Sequence, residues 1–249
     1  MPDTSSLIVA ARQAALEHRF KEAAVCASTV LERAPTCLPA LRILAWSQLE
    51  LGDEDALTTF ERCAAHDPED ALSYVGQAIW YQQRRRDDEA IGHWVRAWEL
   101  DPANQAIRRA LVKLTGELPE SPLADAIGLL RSGRDDLAVD ILRRLYAERS
   151  EPILGLSLMT ALLATGAQGE AFDVALAVYA RHPESVKAAL YVAALEDRAG
   201  RTLRSREAIA RADQVDPGLT LFADVVRQVG LQQALDLHRA SRAPLAAAR

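Results

Sequence analysis

The residues able to do chemistry are few and scattered. Cys26, Cys37 and Cys63 show no CxxC spacing, so they read as reduced thiols rather than a disulfide frame or a zinc site. The histidines are His18, His66, His93, His182 and His238, and none stands at HExxH spacing or beside a cysteine. His66 and His182 fall near helix ends before prolines, where an imidazole serves the last carbonyls and the helix dipole. Phosphate-binding glycine loops and the GxSxG nucleophile elbow are both absent. The acids of "GDEDA" and "RRRDDEA" sit where a helix begins, which suits the positive end of its dipole. Arg84, Arg85 and Arg86 precede two acids and read as a solvated turn rather than an anion site. The expectation is a chain with no catalytic residue, no metal and no cofactor.

Bulk composition narrows the partners. The 249 residues carry a net charge of −6, which gives no general attraction to nucleic acid or anionic lipid. Lysine occurs only at Lys21, Lys113 and Lys187. Hydrophobic residues make up 49% but aromatics only 5%, so alanine and leucine do most of the packing, and helices are favoured over sheets. There is no basic start followed by an apolar run and no uninterrupted apolar stretch of membrane length. The expectation is a cytoplasmic protein with neither a membrane nor a nucleic acid as partner.

The elements that would position these side chains recur. Aligned alanines at Ala23, Ala56, Ala90, Ala138 and Ala171, with Ser205 in the sixth copy, are separated by 33, 34, 48, 33 and 34 residues. Four residues on come Ala27, Phe60, Trp94, Leu142, Ala175 and Ile209. Three further are Val30, Cys63, Ala97, Leu145, Val178 and Ala212. Such spacing holds one helix face. Proline closes five of the units, at Pro35, Pro68, Pro102, Pro183 and Pro217, and Pro152 stands just beyond the exception. A second helix precedes each aligned one and ends in a turn, with Gly52, Gly133, Gly166 and Gly200 suited to a left-handed cap. Each unit is therefore helix, tight turn, helix, with a period of about 34 residues.

This pattern resembles the tetratricopeptide repeat. The third copy carries the likeness best, with Tyr74-x2-Gln77-Ala78-x2-Tyr81, then Ala90-x3-Trp94, then Pro102. The expected fold is all-α, a solenoid of about six tetratricopeptide-like repeats. The long interval leaves room for one extra helix, "NQAIRRALVKLTG", followed by the linker "ELPESP". A last helix within "LTLFADVVRQVGLQQALDLHRA" would cap the C-terminal end, and "SRAPLAAAR" reads as a tail or a linker. Two organisations stay open. One is three repeats plus a cap, twice, over residues 1–116 and 117–249. The other is a single continuous solenoid with an irregular insertion.

The resemblance implies that first helices line a concave groove that takes a peptide or a helix of a partner protein. Carried over residue by residue, the groove positions include Arg12, Arg42, Trp46, Ile79, Gln82, Arg109 and Lys113. Trp46 beside Arg42, four residues away, has the composition of a binding hot spot; the other reading is a tryptophan covered by the next repeat. Leu156, Ser157, Thr160, Leu163, Lys187, Leu190, Tyr191 and Ala194 would form a mildly apolar stretch of the same groove. Some members of the family grip a chaperone carboxylate with lysines, asparagines and an arginine. Here the matching positions include Ile8, Arg12, Ile43, Leu72 and Gly76, which argues against that use. The four cations Arg12, Arg42, Arg109 and Lys113 would instead favour an acidic or apolar segment. The function implied is a non-catalytic scaffold or adaptor. The alternative is a helper region or subunit of an enzyme, such as a bacterial glycosyltransferase or sulfotransferase, whose catalytic part lies elsewhere.

Overall fold

The computed structural model describes residues 3–242, and in them every regular element is a helix. Six hairpins follow one another: α1 Thr4–Leu16 with α2 Phe20–Arg33, α3 Leu38–Leu51 with α4 Ala56–His66, α5 Ala71–Gln83 with α6 Asp87–Leu100. The second three are α8 Pro122–Arg131 with α9 Asp135–Arg149, α10 Pro152–Ala164 with α11 Gln168–Arg181, and α12 Val186–Arg198 with α13 Thr202–Val215. The extra helix α7, Gln105–Thr115, lies in the long interval, and α14 Ala223–Val229 and α15 Gln232–Arg242 close the C-terminal end. The closing segment is thus two short helices where the sequence suggested one. Gly230 adopts a left-handed φ of 77° and breaks it. Of the sequence's last nine residues, positions 243–249 lie outside the described residues.

The repeat column explains the stacking. Ala23, Ala56, Ala90, Ala138, Ala171 and Ser205 are all buried, as are the residues four and seven further on. With only a methyl or hydroxymethyl group at each first position, a neighbouring helix approaches closely and the larger side chains interdigitate beside it. Within each hairpin the two helices pack together, and each second helix then packs on the next first helix. At the long interval α7 packs on α6, and α8 also returns to α6. Ser121 Oγ donates to Glu99 at 2.6 Å, and Arg131 and Arg96 reach Asp101 and Glu151 across the same joint.

Local chemistry sets the element ends. Asp3, Asn104, Ser121 and Ser185 accept backbone N–H bonds as N-caps. The tight turn inside each hairpin uses one left-handed residue. Gly52, Gly133, Gly166 and Gly200 fill this place in four hairpins, and His18 and Arg85 fill it in the other two, with φ of 57° and 59°.

The array curls until its second hairpin meets its fifth and sixth. Leu38, Leu41 and Cys63 of the second hairpin belong to the same buried cluster as Leu156, Met159, Leu190 and Tyr191 of the fifth and sixth. Lys187 Nζ pairs with Glu69 at 2.5 Å and donates to Thr160 at 2.8 Å. Ser157 Oγ donates to Glu69 at 3.2 Å, and His66 Nδ1 lies 3.1 Å from the carbonyl oxygen of Glu184.

Candidate functional site

This closure changes the groove. Leu156, Ser157, Leu190, Tyr191 and Ala194, which the sequence suggested as a mildly apolar open surface, are buried to 1% exposure or less. The correction has a clear cause: the inner faces of α10 and α12 meet the second hairpin and are core. Each buries nine residues, on all sides of the helix. The open part of the inner face lies at the first hairpins.

There, α1, α3 and the start of α5 form a depression of about 390 Å³. It is lined by Arg12, Leu16, Phe20, Arg42, Ile43, Trp46, Glu50 and Leu72, among others. Leu16 and Leu72 are 71% and 55% exposed, large values for leucine in a helix. Trp46 is half-buried, with its ring edge-on to Phe60 at 5.1 Å between centroids. The indole is thus held from behind by α4 of its own hairpin while it lines the opening.

Arg42 is not free. Its Nη2 pairs with Asp67 at 2.8 Å and its Nε with Asp70 at 3.1 Å. Asp70 also accepts from Ser73 Oγ at 2.7 Å. The guanidinium therefore ties α3 to the turn between α4 and α5. Burial, and then the charge of Asp70, push the Asp67 carboxyl up to about 6 against the pull of Arg42. Lys187 lies across the same cluster. Burial pushes its pKa down, but Glu69, Tyr191 and Asp67 outweigh this and hold it above the usual lysine value. With Arg42 neutralised by its acids, Arg12 is the cation of this depression without an ion-pair partner among the described residues.

The other sequence-suggested positions go elsewhere. Ile79 packs among Trp46, Phe60 and Trp80. Gln82 Oε1 accepts from Trp94 Nε1 at 2.8 Å, joining the two helices of the third hairpin. Gly76 lies under the Phe60 ring, where an added Cβ would stand 2.2 Å from a ring carbon. Arg109 and Lys113 line a second depression of about 420 Å³ on α7, with Gln105, Arg108, Val112 and Leu118. The four cations therefore occupy two places rather than one groove.

Sequence reasoning missed Leu16, Phe20 and Glu50 of the first depression. The signal was present: Leu16 stands four residues beyond Arg12 on α1, and Glu50 four beyond Trp46 on α3.

Cysteine and histidine chemistry is equally bounded. Among the described residues no cluster of three or more His, Cys, Asp or Glu side chains is arranged to hold a metal ion. The Cys63 thiol is pushed up to about 12 by burial, which leaves it a packing group at neutral pH. His93 stacks on Tyr81 at 5.1 Å. No helix of the described residues is long and apolar enough to cross a membrane.

Six hairpins with a buried small-residue column, a proline-marked boundary and a period of about 34 residues define the architecture. It is a tetratricopeptide-like helical array. No protein-family model matches the chain, and no curated protein matches it. Solved structures with a similar path include the P58(IPK) TPR domain, at 12% identity and a TM-score of 0.41, over 96% of this chain and 67% of that one. A tetratricopeptide repeat protein from Parabacteroides merdae ATCC 43184 aligns at 16% identity and a TM-score of 0.39, over 91% and 84%. The TPR2AB domain of yeast Sti1, solved in a complex with pHSP90, aligns at 14% identity and a TM-score of 0.41, over 95% and 97%.

Proposed function

We propose that the chain is a protein–protein interaction scaffold, and that the depression over α1 and α3 docks an apolar segment of a partner protein. One observation carries this reading. The inner face is sealed by its own core at α10 and α12, yet at α1 and α3 it leaves Leu16, Ile43, Trp46 and Leu72 around one opening. An aromatic ring backed by rigid packing and rimmed by aliphatic groups is the usual anchor of a protein interface. Arg12, which meets no carboxylate among the described residues, adds a positive charge at the edge that favours a carboxylate on the incoming segment.

The test compares the intact chain with Leu16→Lys, Leu72→Lys and Arg12→Glu as baits, and quantifies every captured protein. All three positions are exposed, so these variants should fold as the parent does. A genuine partner is recovered by the intact chain and lost, by about tenfold or more, with either lysine variant. Equal recovery by all four baits sinks the reading. Arg42→Glu is a poor probe, because it would set a third acid beside Asp67 and Asp70.

A further inference from the structure

Helix α7 stands outside the hairpin scheme, and the next first helix, α8, packs back on α6 rather than on it. Its inner stripe is satisfied, with Ile107 3% exposed and Leu111 fully buried against the third hairpin. Its outer stripe is exposed. Gln105, Arg109, Val112 and Lys113 follow one another at helical spacing, and all four are exposed. With Arg108 and Leu118 they line one depression that contains three cations and no acid. Arg19, Arg86, Arg131 and Arg143 each meet a carboxylate. Arg109 and Lys113 meet none among the described residues, and Arg108 donates only to the Pro102 carbonyl at 3.2 Å. A chain of net charge −6 thus presents, on the helix inserted between its third and fourth hairpins, a basic face with an apolar seam.

We infer that the outer face of α7 is a second docking surface, separate from the α1–α3 depression, and that it takes an acidic amphipathic segment of a protein. Charge complementarity selects the occupant. Carboxylates would pair with Arg108, Arg109 and Lys113, and an apolar side chain would cover Val112 and Leu118. The net negative charge of the whole chain disfavours a polyanion as long as a nucleic acid or as extended as a lipid surface, since either would feel the surrounding acids as well. A short acidic segment stays within about one Debye length of the patch, roughly 8–10 Å at ordinary salt.

The experiment uses the full chain and a fluorescein-labelled synthetic helix of glutamate and leucine at helical spacing, read by anisotropy at low and at ordinary salt. The expected result is saturable binding that weakens with salt. It should fall about tenfold in Arg109→Glu/Lys113→Glu, fall less in Arg109→Gln/Lys113→Gln, and stay unchanged in Arg204→Glu, an exposed charge reversal on α13 that lines neither depression. Circular dichroism melts of the variants confirm that they fold, and the glutamine pair keeps the test decisive if the charge reversal destabilises. The inference is overturned if the peptide fails to bind, if it binds the α7 variants as well as the parent, or if Arg204→Glu weakens it equally. Tighter binding of oligothymidylate or of phosphatidylserine vesicles than of the peptide also overturns it. The α7 variants leave the α1–α3 depression untouched, so the failure of one docking surface is distinguishable from the failure of the other.

Discussion

The inner face of the array has two ends built from the same repeat, and they behave differently. At the N-terminal end α1 buries only Ala11 and Ala14 and leaves Leu16 exposed. At the other end α10 and α12 are buried all round. The hairpin pattern is equivalent in the two places. What differs is what the curvature brings opposite: open space beside α1, and the second hairpin beside α10 and α12. In a solenoid the repeat decides which helix face points inward, and the closure of the whole array decides whether that face is a binding surface or a core.

The closed end should be far less tolerant of change than the open end. Lys187 and Glu69 join the halves from positions 118 residues apart. Lys187→Met would leave the Glu69 carboxylate without its cation in a mostly buried place. Breaking such a pair is expected to cost about 3 kcal/mol, measured as a lower urea midpoint. Arg12→Met, at the open end, should change stability by no more than about 0.5 kcal/mol. Equal effects would show that the closure contributes nothing and would remove the contrast.

Packing gives the next largest difference. Gly155 of α10 lies under Val178, and a Cβ there would stand 2.4 Å from its Cγ2. Gly155→Ala should therefore destabilise by about 2 kcal/mol. Gly92, on the exposed face of α6, has nothing within 4 Å of an added Cβ. Gly92→Ala should stabilise by about 0.5–1 kcal/mol through helix propensity. The two glycine substitutions thus have opposite signs, and thermal melts read both directly.

The boundary between the two ends carries a pH signature. The folded chain holds the Asp67 proton, with its pKa raised to about 6, more tightly than the unfolded chain does, where aspartate titrates near 3.9. This contribution to stability is therefore fully present below about pH 4 and is lost as the pH rises through about 6. With Asn standing in for the protonated acid, the urea midpoints of the parent and of Asp67→Asn should lie closest at low pH and separate as the pH rises through about 6. The expected outcome is that Asp67→Asn flattens the decline between about pH 4 and 6. A decline of unchanged slope assigns it to another group.

Much of this was legible in the sequence. The period, the buried alanine column, the extra helix and the glycines of four of the six turns follow from spacing and residue type alone. The i, i+4 rule and the repeat alignment place Arg12, Arg42 and Trp46 in one region, and all three line the same depression. The capture of Arg42 by Asp67 and Asp70 was not legible, because those acids come from the next turn and read as cap residues. Closure was hinted at but missed. "PILGLSLMTALLA" carries no charged residue in thirteen positions, the mark of a helix buried all round rather than of an open groove. The partner of its neighbour Lys187 lies in another repeat, and no periodicity reports a contact of that span.

The smallest effect concerns the turns, and it separates the two halves once more. Hairpins four, five and six place Gly133, Gly166 and Gly200 at the left-handed position, whereas hairpins one and three place His18 and Arg85 there. A non-glycine residue in that conformation costs about 1–2 kcal/mol, and glycine in its place returns part of this through its freer unfolded chain. Arg85 is the cleaner site. Its neighbours do the bonding: Arg84 lies over the Trp80 ring and pairs with Glu54, and Arg86 lies over Tyr81. Arg85→Gly should therefore stabilise by about 0.5 kcal/mol, while His18→Gly should gain less, because His18 also meets the Phe20 ring edge-on at 5.6 Å. Gly133→Ala, the reverse change in the second half, should destabilise by about 1 kcal/mol with no steric clash to blame, since nothing lies within 4 Å of the added Cβ. If Arg85→Gly and Gly133→Ala shift the melting temperature in the same direction, backbone conformation is not what distinguishes these turns, and the cost has to be sought in the side chains around them.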